Sequence, residues 1–219
     1  MELPGKAGNA NHNLAAFMTD VQILAEYLPE GAIDRVYDWI RSYKVHFRIT
    51  RARTTKLGDY RPPAGRSSHR ISVNHNLNPY AFLITFVHEM AHLIVHEKYG
   101  RRVQPHGREW REEYRDLMLP FLDGEIFPSD IRPVLRRSLI NTKASSTNEL
   151  ALSRVLLRYD KPSHHNRLEE LGEGQTFQTE NGRIFRKGER IRTRYKCLNL
   201  QNNRYYLFHP LTPVIPTKA

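Results

Sequence analysis

The sequence contains very little cysteine: Cys197 is the only one in 219 residues. A single cysteine cannot form a disulfide within the chain, which fits a reducing compartment. Long apolar runs are also missing, since the run from Ala81 to Val87 is far shorter than the roughly 20 residues that span a bilayer. The first residues lack a basic segment followed by an apolar core, so we expect no signal peptide. We therefore expect a cytoplasmic protein with no membrane partner.

Acidic residues are outnumbered by basic ones. The chain has 34 Lys and Arg against 23 Asp and Glu, which gives a formal net charge of +11. Proteins this basic often bind a polyanion, most commonly a nucleic acid, although such a charge can equally belong to a solvated surface. Composition alone therefore makes DNA a candidate partner without deciding the matter.

Hydrophobic periodicity changes along the first part of the chain. Helical spacing occurs over 21–28, behind a candidate N-cap at Thr19, and over about 32–43. Strand alternation follows at 45–50 and 71–74, a further strand is predicted between them at 57–60, and helices are predicted at 79–99, after 107, and at 128–140. We predict an α+β fold: a domain over residues 1–142 that combines these helices with a small antiparallel sheet.

The remainder of the chain has a different character. We predict a linker with a short helix over 143–174 and a small basic β module of three or four strands over 175–219. A single strand over 190–198 would place four cations on one face: Arg190, Arg192, Arg194 and Lys196. Such a face attracts phosphate, but basic residues also protect edge strands, so both interpretations stay open.

One predicted helix, 79–99, carries ionisable groups in an otherwise apolar segment. His88, Glu89 and His92 form an H-E-x-x-H pattern. Residues four apart share a helix face, so the two imidazoles can hold one zinc ion, with Glu89 beside it as a general base. Burying ionisable groups without partners is costly, and a metal supplies the partner. The pattern therefore favours a zinc site over a chance occurrence.

A catalytic zinc needs a third protein ligand. His96 continues the spacing, but three ligands on one straight helix would surround a metal poorly. His106 follows Gly100 and Pro105, where the chain can turn back towards the helix. Glu109, on the next predicted helix, offers a carboxylate. We rank His106 ahead of Glu109.

The stretch HEMAHLIVHEKYGRRVQPHGREW resembles the SprT-like metallopeptidases, whose pattern is HExxH, a loop, and then His-Gly-x-x-Trp. The resemblance covers about residues 20–140. It implies a zincin-like domain with endopeptidase activity, directed in part of the family at proteins crosslinked to DNA. It also implies that His88, His92 and His106 bind one Zn²⁺ ion and that Glu89 is the catalytic base. Many members carry a cysteine-rich zinc ribbon next, which a chain with one cysteine cannot build.

The family resemblance further implies a strand beside the zinc, along which an extended peptide substrate can lie. Three residues of the predicted third strand are our candidates: Ile71, Val73 and Asn74. A group that stabilises the oxyanion is also expected. The sequence does not single it out, and each candidate could instead be a packing residue: Tyr60, Tyr80, His75 and Tyr99.

Three functions remain to be separated. The first is a zinc endopeptidase that acts on DNA-associated proteins. The second is a zinc peptidase with no nucleic-acid role, and the third is a non-catalytic, metal-stabilised binding protein. Glu89 speaks against the third, because a structural zinc site usually closes all four positions and has no use for a base.

Overall fold

The computed structural model describes residues 20–53, 55–140, 150–162 and 164–217. The proposed cap Thr19 and the segment 141–149 lie outside these ranges. The chain divides into two compact units, of which the first ends at Asp160 and the second begins at Lys161. This boundary lies between the two predicted ones, at 142 and 174.

The first unit opens with helical residues 20–25 and a 3-10 turn at Glu30–Ala32. Its helices are α1 (Ile33–Ser42), α2 (Pro79–Tyr99), α3 (Arg108–Asp123), α4 (Ile131–Ile140) and α5 (Leu150–Leu156), the last followed by a 3-10 turn at Leu157–Tyr159. Its strands are β1 (His46–Thr50), β2 (Gly58–Arg61) and β3 (Arg70–Asn74). The predicted α+β class is confirmed. None of the described helices combines the length and the apolar character needed to cross a membrane.

The three strands form a mixed sheet in the order β1-β3-β2. β3 runs parallel to β1, with Phe47 opposite Ile71, and antiparallel to β2, with Tyr60 opposite Ile71. The prediction of an antiparallel sheet was therefore wrong. Alternating side chains reveal a strand, but not its neighbours, and β3 inserts between two strands that precede it in the chain.

Helix α2 lies at the centre of the first unit, with 13 of its 21 residues buried. It begins after Asn78, whose side chain accepts a hydrogen bond from Ala81 N at 2.9 Å, and ends at Gly100, which has φ 63°. Asn78 also donates to Leu156 O at 2.9 Å and to Asp160 Oδ1 at 2.7 Å. These bonds hold α5 against the start of α2. The short helix that we predicted within a linker is thus part of the first core.

The second unit is an antiparallel sheet of six strands in the order β4-β9-β5-β6-β7-β8. The strands are β4 (Asn166–Arg167), β5 (Thr176–Gln178), β6 (Ile184–Ile191), β7 (Arg194–Asn199), β8 (Tyr205–Phe208) and β9 (Pro213–Thr217). It has its own core, built from Leu168, Leu171, Phe177, Phe185, Cys197 and Val214. The prediction missed β4 and β9 because one is very short and the other contains two prolines.

Candidate metal centre

Three histidine rings converge above α2. His88 and His92 lie one turn apart on the helix, and His106 reaches them from the loop before α3. The Nε2 atom of His106 lies 3.0 Å from Nε2 of His92 and 3.1 Å from Nε2 of His88. Three imidazole nitrogens on one tetrahedral zinc lie roughly 3.3 Å apart, given Zn–N bonds of about 2.0–2.1 Å. The spacing therefore fits a single metal ion, and the alternatives His96 and Glu109 are not part of this cluster.

The loop places His106 by means of an unusual backbone conformation. His106 has φ 57°, in the left-handed region that few residues other than glycine adopt. Gly107 follows as the N-cap of α3, and a Cβ there would lie only 2.8 Å from the Gln104 carbonyl oxygen. The His-Gly pair therefore turns the chain tightly, and this turn directs the His106 ring back towards α2.

The electrostatic environment keeps all three rings uncharged. Burial, followed by the neighbouring histidines, lowers the pKa of His88 to about 3. Burial and then His106 lower the pKa of His92 to about 4, and burial lowers the pKa of His106 as well. Neutral imidazole is the form that binds a metal, so the metal-free cluster is already in its binding state at neutral pH.

Trp110 of α3 forms an apolar wall behind the histidines. Its ring centroid lies 4.6 Å from that of His88, 5.4 Å from that of His92 and 4.7 Å from that of His106. Trp110 is 1% exposed and stacks on Tyr114 at 5.0 Å. This packing restricts rotation of the three imidazoles and excludes water from one side of the cluster.

Glu89 lies beside the histidines and is not one of the converging groups. Its side chain is buried, and burial, followed by the charge of Asp59, raises the pKa of the carboxyl to about 7. The backbone N–H of Tyr60 donates a hydrogen bond to this carboxylate. The cluster thus combines three potential metal ligands with one carboxyl group able to exchange a proton near neutral pH.

Comparison with known proteins agrees with this arrangement. Residues 31–121 match the SprT-like family. The match includes α2, the loop and most of α3, and therefore the entire histidine cluster.

Individual relatives match over shorter segments. Protein SprT of Pseudomonas fluorescens is 59% identical over 27 residues, which are 12% of this chain and 16% of that protein. Protein SprT of Vibrio parahaemolyticus is 60% identical over 35 residues, which are 16% of this chain and 21% of the relative. The chain thus spans about a fifth or less of the length of these curated relatives. No solved structure matches.

The strand that we expected to guide a substrate is the central strand of the three-stranded sheet. Ile71 and Val73 are 1% and 0% exposed, and β3 is hydrogen-bonded along both edges. Asn74 is used internally, because its side chain bonds to Arg53 and to the Lys56 carbonyl oxygen. These residues therefore offer no free edge to a peptide, and the expectation placed on β3 is corrected.

The sheet edge next to Glu89 belongs instead to β2, which among the described strands pairs only with β3. The carbonyl of Leu57 accepts a hydrogen bond from Asn74 N, so the backbone polar groups of residue 57 point towards β3. Because these groups alternate in direction along a strand, those of Gly58 and Tyr60 point to the opposite edge of β2. The donation from Tyr60 N–H to Glu89 agrees with this direction. Sequence reasoning predicted a strand at 57–60 but did not identify β2 as the edge next to Glu89, because the residues of one strand do not reveal its neighbours.

Of the four oxyanion candidates, the fold of the first unit brings only Tyr60 next to the histidines. Its ring stacks on His92 with centroids 6.4 Å apart, and both line a cavity of about 250 Å³ that also contacts Trp110. The Tyr60 hydroxyl lies 3.0 Å from Nδ1 of His69. The other three candidates lie elsewhere: Tyr80 packs on Phe127, and His75 and Tyr99 are exposed.

The four cations predicted to share a strand face in the second unit do not share one. Arg192 lies in a turn with φ 53°, so Arg190 belongs to β6, whereas Arg194 and Lys196 belong to β7. Arg190 pairs with Tyr195 across the two strands, so their side chains lie on the same face of the sheet. Arg194 and Lys196 are the neighbours of Tyr195 along β7, and their side chains therefore lie on the opposite face. The prediction of one four-residue face was wrong, because Arg192–Thr193 carries no glycine, proline or asparagine to signal a turn.

Proposed function

We propose that the first unit is a zinc-dependent endopeptidase that acts on DNA-associated proteins. The observation that carries the proposal is the convergence of three neutral imidazoles, with Nε2 atoms 3.0 and 3.1 Å apart, beside the carboxyl of Glu89. The match of residues 31–121 to the SprT-like family supports it.

The donor set fits zinc rather than a harder cation. Three imidazole nitrogens are a common catalytic zinc set, whereas magnesium and calcium prefer oxygen ligands. His88, His92 and His106 would hold the ion and leave a position open. When bound, zinc supplies a Lewis acid that lowers the pKa of water to about 7 and polarises a carbonyl group.

Glu89 is the group that moves protons. It takes a proton from the attacking water and returns it to the leaving amine, and a carboxyl with a pKa of about 7 is suited to both transfers at neutral pH. The free edge of β2 would pair with the backbone of an extended peptide, as strands added to sheet edges do. Tyr60, on the same strand, supplies a hydroxyl donor next to the histidines.

Replacing the base separates catalysis from metal binding. We expect Glu89→Gln to retain one zinc per chain, measured by atomic emission, and to hydrolyse unfolded casein about 10²- to 10⁴-fold more slowly. Glu112→Gln, whose side chain is 47% exposed and paired with Arg108, is the matched control and should keep full activity. The proposal fails if Glu89→Gln remains fully active, or if the purified wild type hydrolyses casein equally well after chelation.

A role near DNA is supported by one face of the second unit. Arg194 and Lys196 lie on the same side of β7, and Nζ of Lys196 lies 4.5 Å from the ring centroid of Tyr205, which is 61% exposed. Cations interleaved with an exposed aromatic ring suit a nucleic-acid strand, since phosphates pair with the cations and a base can stack on the ring.

This role can be tested with a pair of single variants. Arg194→Gln should weaken binding to an oligonucleotide and flatten its salt dependence, whereas Arg190→Gln, on the opposite face, should do neither. Equal effects of the two substitutions would favour the second candidate function, a zinc peptidase without a nucleic-acid role.

A further inference from the structure

The mixed sheet of the first unit has an outer face that the proposed chemistry does not use. Ile71 and Val73 of β3 are buried in the core, so alternate residues of each strand point the other way. Four arginines lie around a shallow concavity of about 290 Å³ on that outer side, three from the strands and one from the loop after β1: Arg48, Arg53, Arg61 and Arg70. We call these four residues the arginine face.

The charges of the arginine face are poorly compensated. Among the residues that the structure describes, Asp59 is the one acid that lines the concavity, and it is already engaged by Lys56 at 2.7 Å and by Arg61 at 2.9 Å. Arg61 stands directly opposite Arg70 in the antiparallel pair. Like charges in that position destabilise a sheet, so the arrangement costs folding free energy unless an anion lies between them.

One guanidinium is held in place before any ligand arrives. Arg53 Nε donates to Asn74 Oδ1 at 2.7 Å, and its Nη1 donates to Ser72 Oγ at 3.2 Å. Its third nitrogen, Nη2, is buried and has no hydrogen-bond partner within the part of the chain that the structure describes. A guanidinium fixed in this way holds its positive charge at the concavity, so an anion can bind there with little further loss of side-chain entropy.

We propose that the arginine face binds the phosphate backbone of duplex DNA. Guanidinium groups match the geometry of phosphate oxygens, which explains a cluster made of arginine. Sites for single strands add aromatic rings on which bases stack, and none of the described residues that line this concavity is a tyrosine, tryptophan or phenylalanine. The choice of DNA among polyanions rests on the function proposed above.

The arginine face and the proposed catalytic base lie on opposite sides of the same strand, β2. Asp59 and Arg61 point to the outer side of β2, whereas Gly58 and Tyr60 of the same strand face Glu89. A duplex bound to the arginine face would therefore be separated from the catalytic base by strand β2. A protein attached to that duplex would meet the free edge of β2 at a raised effective concentration.

The decisive measurement is a salt series in a Glu89→Gln background, where binding is read without any peptidase activity. A fluorescent 20-base-pair duplex would be titrated with the full chain between about 50 and 200 mM salt. Replacing Arg61 and Arg70 together by Gln should make the slope of log K against log salt less steep by about 1.8, since each lost phosphate contact contributes about 0.9. Arg136→Gln with Arg137→Gln, which removes the same charge from exposed positions on α4, should leave the slope unchanged.

The same variants report whether the fold is intact. Because Arg61 and Arg70 repel each other, their replacement by Gln should not lower the melting temperature. If that pair fails to fold, Arg48→Gln with Arg70→Gln makes the same test. Equal slopes for the arginine-face and α4 variants would overturn the inference. So would a selective loss of binding to single-stranded DNA, or to a polyglutamate peptide, with duplex binding unchanged. All of these outcomes leave the casein assay, and thus the proposed peptidase, unaffected.

Discussion

Gly58 lies directly against the side chain of Glu89. A Cβ atom built at position 58 would be 2.6 Å from Oε1 of Glu89 and 2.8 Å from its Cγ, and 2.7 Å from Cγ2 of Thr85. Non-bonded atoms do not approach so closely, so β2 can lie beside α2 only because residue 58 has no side chain. The free edge for a substrate and the buried base are adjacent for this reason.

Adding a methyl group at this contact should therefore impair catalysis. We expect Gly58→Ala to lower kcat for casein about 10²-fold, because a displacement of about 1 Å in a catalytic group has an effect of this size. Zinc content should not change, since the atoms nearest to the added methyl group belong to Glu89 and Thr85 and not to a histidine. Gly172→Ala, where the nearest atom would be 3.6 Å away, is the control. Undiminished activity of Gly58→Ala would show that the position of Glu89 tolerates the shift.

Removal of the loop ligand should abolish tight metal binding. Asparagine adopts the left-handed backbone region more readily than most residues, so His106→Asn removes the imidazole and keeps the turn at φ 57°. We expect zinc affinity, measured by competition with a chromogenic chelator, to fall substantially. The loss should exceed the roughly 10- to 100-fold decrease that follows when a residue that only orients a metal ligand is replaced. The exposed His75→Asn should bind zinc normally. Normal zinc affinity in His106→Asn would exclude His106 as a ligand.

Tyr60 should contribute to the rate more than to substrate binding. Its pKa is raised by burial and then by Glu97, so the hydroxyl stays protonated and remains a donor throughout the neutral range. If it donates to the developing oxyanion, Tyr60→Phe will lower kcat about 10²- to 10³-fold and change KM little. Tyr80→Phe is the control, because Tyr80 packs against Phe127 away from the cluster. A rise in KM at constant kcat would assign Tyr60 to substrate binding instead.

The metal-free protein should lose stability in mild acid. The pKa values of His88 and His92, about 3 and 4, lie below the ordinary value of 6.5. Between about pH 4 and 6.5 the unfolded chain therefore binds more protons than the folded one, and the free energy of unfolding falls as pH falls. The expected loss is roughly 2 kcal/mol for each histidine between pH 7 and pH 5.

Urea unfolding of chelator-treated protein at the two pH values would measure this loss. His92→Phe removes one of the two groups and should lose about 2 kcal/mol less than the wild type between pH 7 and pH 5. If the variant and the wild type lose the same free energy, His92 is not the source of the effect.

Several parts of the site could be predicted from sequence because they depend on local spacing. The i, i+4 positions of His88 and His92 on an apolar helix, and the His-Gly pair at 106 and 107, are short-range patterns. The predicted start and end of α2, at Pro79 and before Gly100, were confirmed for the same reason. Its N-cap bond to Ala81 and its positive φ at Gly100 are set by neighbouring residues.

The amino-acid order by itself thus determined most of the helices and strands, and which imidazoles have the spacing to share a metal. Only the tertiary structure decided that β3 lies between β1 and β2, that Gly58 faces Glu89, and that four arginines gather on the outer face of the sheet. Strand order and direction depend on long-range packing against α2, and periodicity within one segment carries no information about its neighbour. The turn at Arg192, which divides the predicted cationic strand, is likewise a consequence of the strand pairing in the second unit.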